Sequence, residues 1–292
     1  MSDARMAGTL QDLERKNLAR KDLAPKSDAD LRREDRLRRR RVRSTLEALS
    51  APALAFALFA VWQISVPLFN VSEFVLPTPI DILARVVKDY RLLLTHAWIT
   101  GAEVVVGFLC AAVVGILVAL AVFYSRMVEK AVYPLLIAMQ TIPKVALAPL
   151  VVLYLGYDWG PKIFLSFLIS FFPIVVATVV GLKGLDPGFS NLVKSMGASE
   201  AQVFLKVRLP AALPSIFGSF KVALSLAVIG AVLGEYVAAE RGLGYLQLQA
   251  NANFDVTLNF AAVFVIALLG VAFYSIILFA EKLVGDKQGA RA

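Results

Sequence analysis

The sequence predicts an all-α, polytopic membrane protein with six transmembrane helices. Three observations lead there. Of the 292 residues, 59% are hydrophobic, against roughly 45–50% in a soluble domain, and mean hydropathy is +0.71. The apolar residues lie in long blocks instead of the 3.6- or 2-residue periods of half-buried elements. The basic residues crowd into the segment that precedes the first block.

That segment, 1–47, holds 14 Lys and Arg against 9 Asp and Glu and ends in the run LRREDRLRRRRVR at 31–43. It is too long and polar for a cleaved signal peptide. An arginine run can bind RNA or anionic lipid. Its place directly before an apolar block favours a basic cytoplasmic tail, largely disordered, that obeys the positive-inside rule, with no nucleic acid as partner.

About 20 apolar residues cross the hydrocarbon of a bilayer. Charge-free runs of that length lie at 48–68, 104–122, 163–182 and 260–280, and two more stretches, 131–157 and 209–234, each carry one lysine, Lys144 and Lys221. Pro143 and Pro149 predict a kink in the third span, because proline removes a backbone donor and crowds the preceding turn. With a cytoplasmic amino terminus, the inner loops and carboxy-terminal segment contain Arg126, Lys130, Lys183, Lys194, Lys206, Arg208, Lys282, Lys287 and Arg291. The outer loops contain Arg85, Lys88, Arg91, Lys162 and Arg241, so both termini are expected in the cytoplasm. The organisation read from these blocks is a tail at 1–47, a transmembrane domain at 48–284 and a second cytoplasmic tail at 285–292.

Between spans, 81–94 reads as a short amphipathic helix after the turn Leu76-Pro77-Thr78-Pro79. The inner loop at 183–210 is unusually apolar. Val193 and Met196, then Val203, Phe204 and Val207, recur at helical spacing on either side of Gly197, which predicts two short helices joined by a turn. Leu192, Val193 and Met196 are expected to pack on the membrane domain while the second helix covers the base of the fifth span.

Catalytic classes find little support. One histidine, His96, excludes an HExxH zinc site, and one cysteine, Cys110, excludes an intramolecular disulfide. There is no GxxxxGK[ST] phosphate loop and no GxSxG elbow. Gly230 and Gly234 form a GxxxG that either brings two helices together or serves local packing. Glu103 and Glu235, at outer span ends, read as facing water, with a transport role as the alternative. Asp158 and Lys162 read as a solvated outer turn, Cys110 as a small core residue, and Trp62, Trp98 and Trp159 as interface or packing residues. Lys144 and Lys221, each within an apolar span, are candidates for a solute path.

The inner loop carries the pattern Gly197, nine residues, Val207-Arg208-Leu209-Pro210. It resembles the hallmark E-A-A, three residues, Gly, nine residues, I-x-L-P of the permeases of bacterial ATP-binding-cassette (ABC) importers, with Asn191-Leu192-Val193 in place of the opening E-A-A. Leu76-Pro77-Thr78-Pro79, Ile142-Pro143, Leu209-Pro210-Ala211-Ala212-Leu213-Pro214, Gly234-Glu235 and Gly242-Leu243-Gly244-Tyr245 make it similar to the nitrate, sulfonate and taurine branch. The resemblance implies a type I importer permease in the bacterial inner membrane, acting as a homodimer, not an enzyme. It implies a coupling-helix loop in which Gly197, Ala198, Ser199, Glu200, Val207, Leu209 and Pro210 meet two copies of a cytoplasmic ATP-binding subunit. ATP is then hydrolysed by that partner, and no cofactor is bound by this chain. A periplasmic solute-binding protein, a second copy of the chain and membrane lipids complete the partners. The solute is expected to be a small nitrate-, sulfonate- or taurine-like anion, with a thiamine-precursor pyrimidine or other small organic nutrient as the alternative. An ion-coupled secondary transporter is the rival of a different class, with Lys144, Lys221 and Glu235 as candidate path residues in either case.

Overall fold

In the computed structural model, residues 53–289 are described, with side chains through 284. Among them every regular element is helical. Residues 53–64, most of the apolar helix α1, Ala53–Leu68, belong to a unit separate from the rest. The start of the first predicted span, 48–52, and both predicted tails except for the backbone of 285–289 lie outside the described residues.

From Ser65 onward the chain forms a second unit. It begins with α2, Pro79–Lys88, whose start is written in the predicted turn. Thr78 caps the helix in a reciprocal box with Asp81, and Pro79 sits at the first position, where its missing N–H costs nothing. The amphipathic helix expected to run to 94 stops instead at Asp89 (φ −106°, ψ 27°), and the long helix α3, Tyr90–Tyr124, starts at once. A helix-capping break at one residue is invisible to a periodicity argument.

Among the described residues four helices are long and apolar enough to cross a membrane: α3; α6, Trp159–Lys183; α9, Leu209–Ala238, which continues without interruption from Glu200; and α11, Val256–Gly289. The third predicted span is corrected more sharply than a kink. It is two helices, α4, Arg126–Gln140, and α5, Lys144–Leu155, bent by 101° at Thr141 to Pro143. Their 15 and 12 residues each fall short of the roughly 20 needed to span.

The core is a seam between α3, α6 and α9. Along α9, Ala212, Ile216, Ser219, Ala223, Ala227, Gly230, Ala231, Gly234 and Ala238 are buried at three- and four-residue intervals. On α3 the buried set is Val104, Gly107, Phe108, Ala111, Ala112, Gly115, Ala119 and Val122. Lipid tails are as apolar as leucine, so small residues that let backbones approach, and not a hydrophobic drive, hold such helices together. A Cβ at Gly230 would stand 2.6 Å from Ser166 Cα, one at Gly234 2.7 Å from Lys162 Cα, and one at Gly107 2.5 Å from Ser166 Cβ. The predicted GxxxG therefore joins α9 to α6 of the same chain. Large apolar side chains point outward instead, among them Leu109, Leu117, Leu153, Val271 and Phe279. Cys110 is exposed with them and is not a core residue. The sequence shows the apolar run but not which side of the helix faces the seam.

The remaining elements complete the two ends. The short helices α7, Pro187–Ser195, and α8, Glu200–Val203, follow α6, and α10, Leu243–Ala252, lies between α9 and α11.

Candidate functional site

The loop at 183–210 is a tight helical hairpin whose turn is fixed by Gly197. Asp186 caps α7 by accepting from Gly188 N at 2.6 Å. At the other end Gly197 N donates to Lys194 O (2.9 Å) and Ala198 N to Val193 O (3.4 Å). These two bonds are those of a Schellman cap, which needs a left-handed residue between them. Gly197 supplies it with φ +89°, and no atom lies within 4 Å of where its Cβ would be. The glycine is required by the backbone conformation, not by crowding within this chain.

The chain restarts at Ser199, whose hydroxyl accepts from Gln202 N while Gln202 Oε1 accepts from Ser199 N, a second capping box. Glu200 is exposed and ion-paired with Lys194 across the turn. Ala198 is half-buried between them. Val207 lies in a π-helical turn, Phe204–Arg208, and Leu209 and Pro210 open α9. Two helices thus flank Gly197 as predicted, and the second, α8, runs on through the π turn into the fifth span as part of a single 39-residue helix. A correction concerns the apolar face. Leu192 and Met196 do not pack on the membrane domain; they are 58% and 80% exposed, alongside Phe189 at 50%. Helical spacing shows that these residues share a side but not which way that side points.

The opposite end of the bundle contains a buried polar cluster. Glu103, Glu235 and Lys162 are 0%, 1% and 6% exposed, so Glu103 and Glu235 do not face water and Lys162 is not in a solvated turn. Lys162 Nζ lies 3.5 Å from Glu103 Oε1. Glu235 accepts from Thr100 Oγ1 at 2.6 Å and from Gly244 N. Thr100 Oγ1 in turn accepts from Leu243 N (2.9 Å), and His96 Nδ1 from Gly242 N (2.9 Å). Three successive backbone donors at the start of α10 are therefore taken by side chains of α3 and α9. Gly242, at φ +118°, is where a Cβ would strike the Glu235 carboxylate at 2.2 Å. The motif Gly242-Leu243-Gly244 is a turn shaped around a carboxylate, and Gly234 lets the Lys162 backbone in close enough to complete the cluster. No charge pattern in the sequence links Glu103 to Lys162. The signal that could have linked them is the set of glycines at 107, 230 and 234, which marks where α3, α6 and α9 touch.

The two lysines predicted within spans occupy different settings. Lys144 is half-buried at the break between α4 and α5. Its ammonium donates to Gln140 O at 3.2 Å and lies 5.3 Å from the centre of the Phe172 ring, an amine over a π face. Lys221 pairs with Glu281 of α11 at 2.5 Å. Neither is brought near Glu235, which is enclosed in its own cluster. Arg208, a residue that sequence reasoning assigned no role, bonds Leu182 O and Ser190 Oγ.

Residues 111–288 match the family described as binding-protein-dependent transport system inner membrane component. The chain is 38% identical over 231 residues to the formylaminopyrimidine transport permease protein ThiX of Halalkalibacterium halodurans, covering 79% of this chain and 92% of that one. It is 34% identical to the riboflavin transport system permease protein RibX of Chloroflexus aurantiacus, covering 81% and 89%. Against the putative aliphatic sulfonates transport permease protein SsuC of Bacillus subtilis the identity is 31%, covering 77% and 81%. The fold is similar to that in an inward-facing structure of the MetNI methionine ABC transporter, with TM-score 0.56 at 21% identity over 68% of this chain and 96% of that chain. The chain accordingly belongs to the binding-protein-dependent inner membrane components, the permeases of ABC importers.

Proposed function

We propose that the chain forms the membrane path of an ATP-driven importer for a small heteroaromatic nutrient of the pyrimidine type, working as a homodimer with both termini in the cytoplasm. Family membership makes it a multi-pass inner-membrane protein and implies an ATP-binding subunit and a substrate-binding protein as partners. The observation that carries the mechanism is the outward-facing apolar side of α7, with Phe189, Leu192 and Met196 exposed beside the Gly197 turn. An exposed apolar patch at an inner loop is a docking surface in need of a partner. In this reading two ATP-binding subunits grip α7 of each permease, and Gly197, Ala198, Ser199 and Glu200 form the contact. Val207, Leu209 and Pro210 carry the motion into α9. Closure of the ATPases on ATP then rocks the two permeases about the shared path.

The pyrimidine-type solute is supported by the higher identity to the formylaminopyrimidine permease than to the sulfonate permease. A second reading, a sulfonate- or nitrate-like anion, is favoured by Lys144. Among the described residues no carboxylate lies within ion-pair distance of its ammonium, which leaves a charge beside the broken span. Lys221 and Glu235, already neutralised or capped by partners, serve structure in either reading. The test is uptake into proteoliposomes holding the permease, its ATP-binding subunit and its binding protein. ATP-dependent accumulation of labelled formylaminopyrimidine, and not of taurine, is expected. Accumulation of taurine alone would favour the second reading, and uptake driven by an ion gradient without ATP would overturn the importer mechanism.

A further inference from the structure

Of the two arms of the hairpin around Gly197, the second is packed on the spans through Phe204 against Phe123 and Tyr124, whereas α7 has few ties to them. The face of α7 carrying Leu192 and Met196 is exposed, and the Lys194–Glu200 ion pair closes the hairpin on itself. Ser190 is the one residue of α7 with a deeply buried side chain, at 3% exposure. Its hydroxyl is bonded by Arg208 Nη2 at 3.2 Å, while Nη1 of the same guanidinium donates to Leu182 O, near the end of α6, at 3.3 Å. The guanidinium also lies over the ring of Phe123, near the end of α3, with Cζ 5.3 Å from its centre. Arg208 itself is the last residue of the π turn that leads into α9. One side chain thus meets the inner ends of α3 and α6, the start of α9 and the buried side of α7. Only a planar fork with donors in two directions and a flat face can hold two acceptors and an aromatic ring at once.

We infer that Arg208 is the positioning residue that makes α7 and the inner ends of α3, α6 and α9 move together, so that a push on the hairpin is converted into movement of the spans. This rests on the reading that α7 receives the ATP-binding subunit. Tight turns and π turns are where helices give way most readily, and the Gly197 turn between α7 and α8 is such a place. Without the fork α7 can swing about the Gly197 turn while the spans stay still, and ATP is hydrolysed without transport.

The experiment uses the full complex in proteoliposomes and measures uptake of labelled formylaminopyrimidine or taurine, whichever the wild type imports, together with ATP hydrolysis. Met196→Cys is first cross-linked to a cysteine introduced on the ATP-binding subunit. Absence of a cross-link would overturn the docking reading itself, and this inference with it. With the cross-link present, Arg208→Met should keep ATP hydrolysis while solute moved per ATP falls roughly tenfold, the factor expected on losing a charged hydrogen-bond donor. Arg208→Lys should not restore the ratio. Ser190→Ala, which deletes one hydroxyl and spares the fold, should lower it about threefold, and the double variant should be no worse than Arg208→Met. An unchanged ratio in Ser190→Ala and Arg208→Met, parallel loss of uptake and hydrolysis, or full additivity in the double variant would overturn the inference.

Discussion

The two ends of this bundle use polar residues in opposite ways. At one end Glu103, Lys162, Glu235 and Thr100 are enclosed, the first two facing each other and the last two fixing the Gly242 turn against α3 and α9. At the other end the Lys194–Glu200 pair of the hairpin lies at the surface, and Phe189, Leu192 and Met196 of α7 point away from the protein. Burial makes the first set a clamp, because a charge left without its partner inside a protein is costly. Exposure makes the second set a handle. The lesson is that the rigid end and the movable end of a transport helix can be told apart by which polar groups water can reach.

The largest effect should come from opening the clamp. Glu235→Ala leaves the buried Thr100 hydroxyl and Gly244 N without their acceptor, and the loss expected for each buried donor left unsatisfied is about 1–3 kcal/mol. Thermal unfolding of the purified permease in detergent should show the midpoint fall furthest for this variant, with Glu235→Gln milder because it keeps an oxygen for one of the two donors. Next comes the seam: Gly230→Ile forces a side chain into the Ser166 backbone, and overpacking of this kind costs about 1–3 kcal/mol. The midpoint of the same transition should drop, without loss of the hairpin's ability to bind the ATP-binding subunit.

The handle should respond in the other currency. Gly197→Val asks a β-branched residue to adopt φ +89°, a local strain of about 1–2 kcal/mol that reshapes the turn and leaves the spans alone. The unfolding midpoint should fall by no more than this local strain, well short of the Glu235→Ala loss, while stimulation of ATP hydrolysis and uptake disappear. An equal fall in midpoint would mean that the hairpin is part of the clamp. The smallest effect is expected from Lys221→Met, because the Lys221–Glu281 pair is partly exposed, with side chains 20% and 31% accessible. A partly exposed pair is worth about 0–1 kcal/mol, so a midpoint shift as large as that of Glu235→Ala would show that burial is not what separates the two ends.

Much of this was legible in the sequence. Apolar length located four straight spans, Pro143 located the break, and the Gly197 to Pro210 spacing located the hairpin and the family. What was hidden is direction. Glu103 and Lys162 lie at span ends, where exposure is the ordinary expectation, and only the glycines opposite them draw their helices close enough to enclose them. Leu192 and Met196 follow a helical period, and a period has no inside or outside until a neighbour is placed. Lys144 interrupts a 27-residue apolar stretch and so looked central to one span, when it marks the first residue of a new helix. Arg208 was read as one more inner-loop cation, since a count of charges does not record that a side chain reaches two other helices.

The π turn at Phe204–Arg208 has a consequence for how this helix tolerates change in length. An α-helix advances about 100° per residue, from 3.6 residues per turn, and a π turn is the accommodation of one residue beyond the α-helical count. It therefore absorbs a residue without turning the hairpin relative to the seam. Deleting a single residue between 204 and 208 would restore regular winding and leave the azimuth of the hairpin nearly unchanged, whereas deleting one from the regular turns of α9 just beyond would swing it by about 100° around the helix axis. The π turn is thus the one place on this helix where a change of one in the residue count does not re-aim the lever.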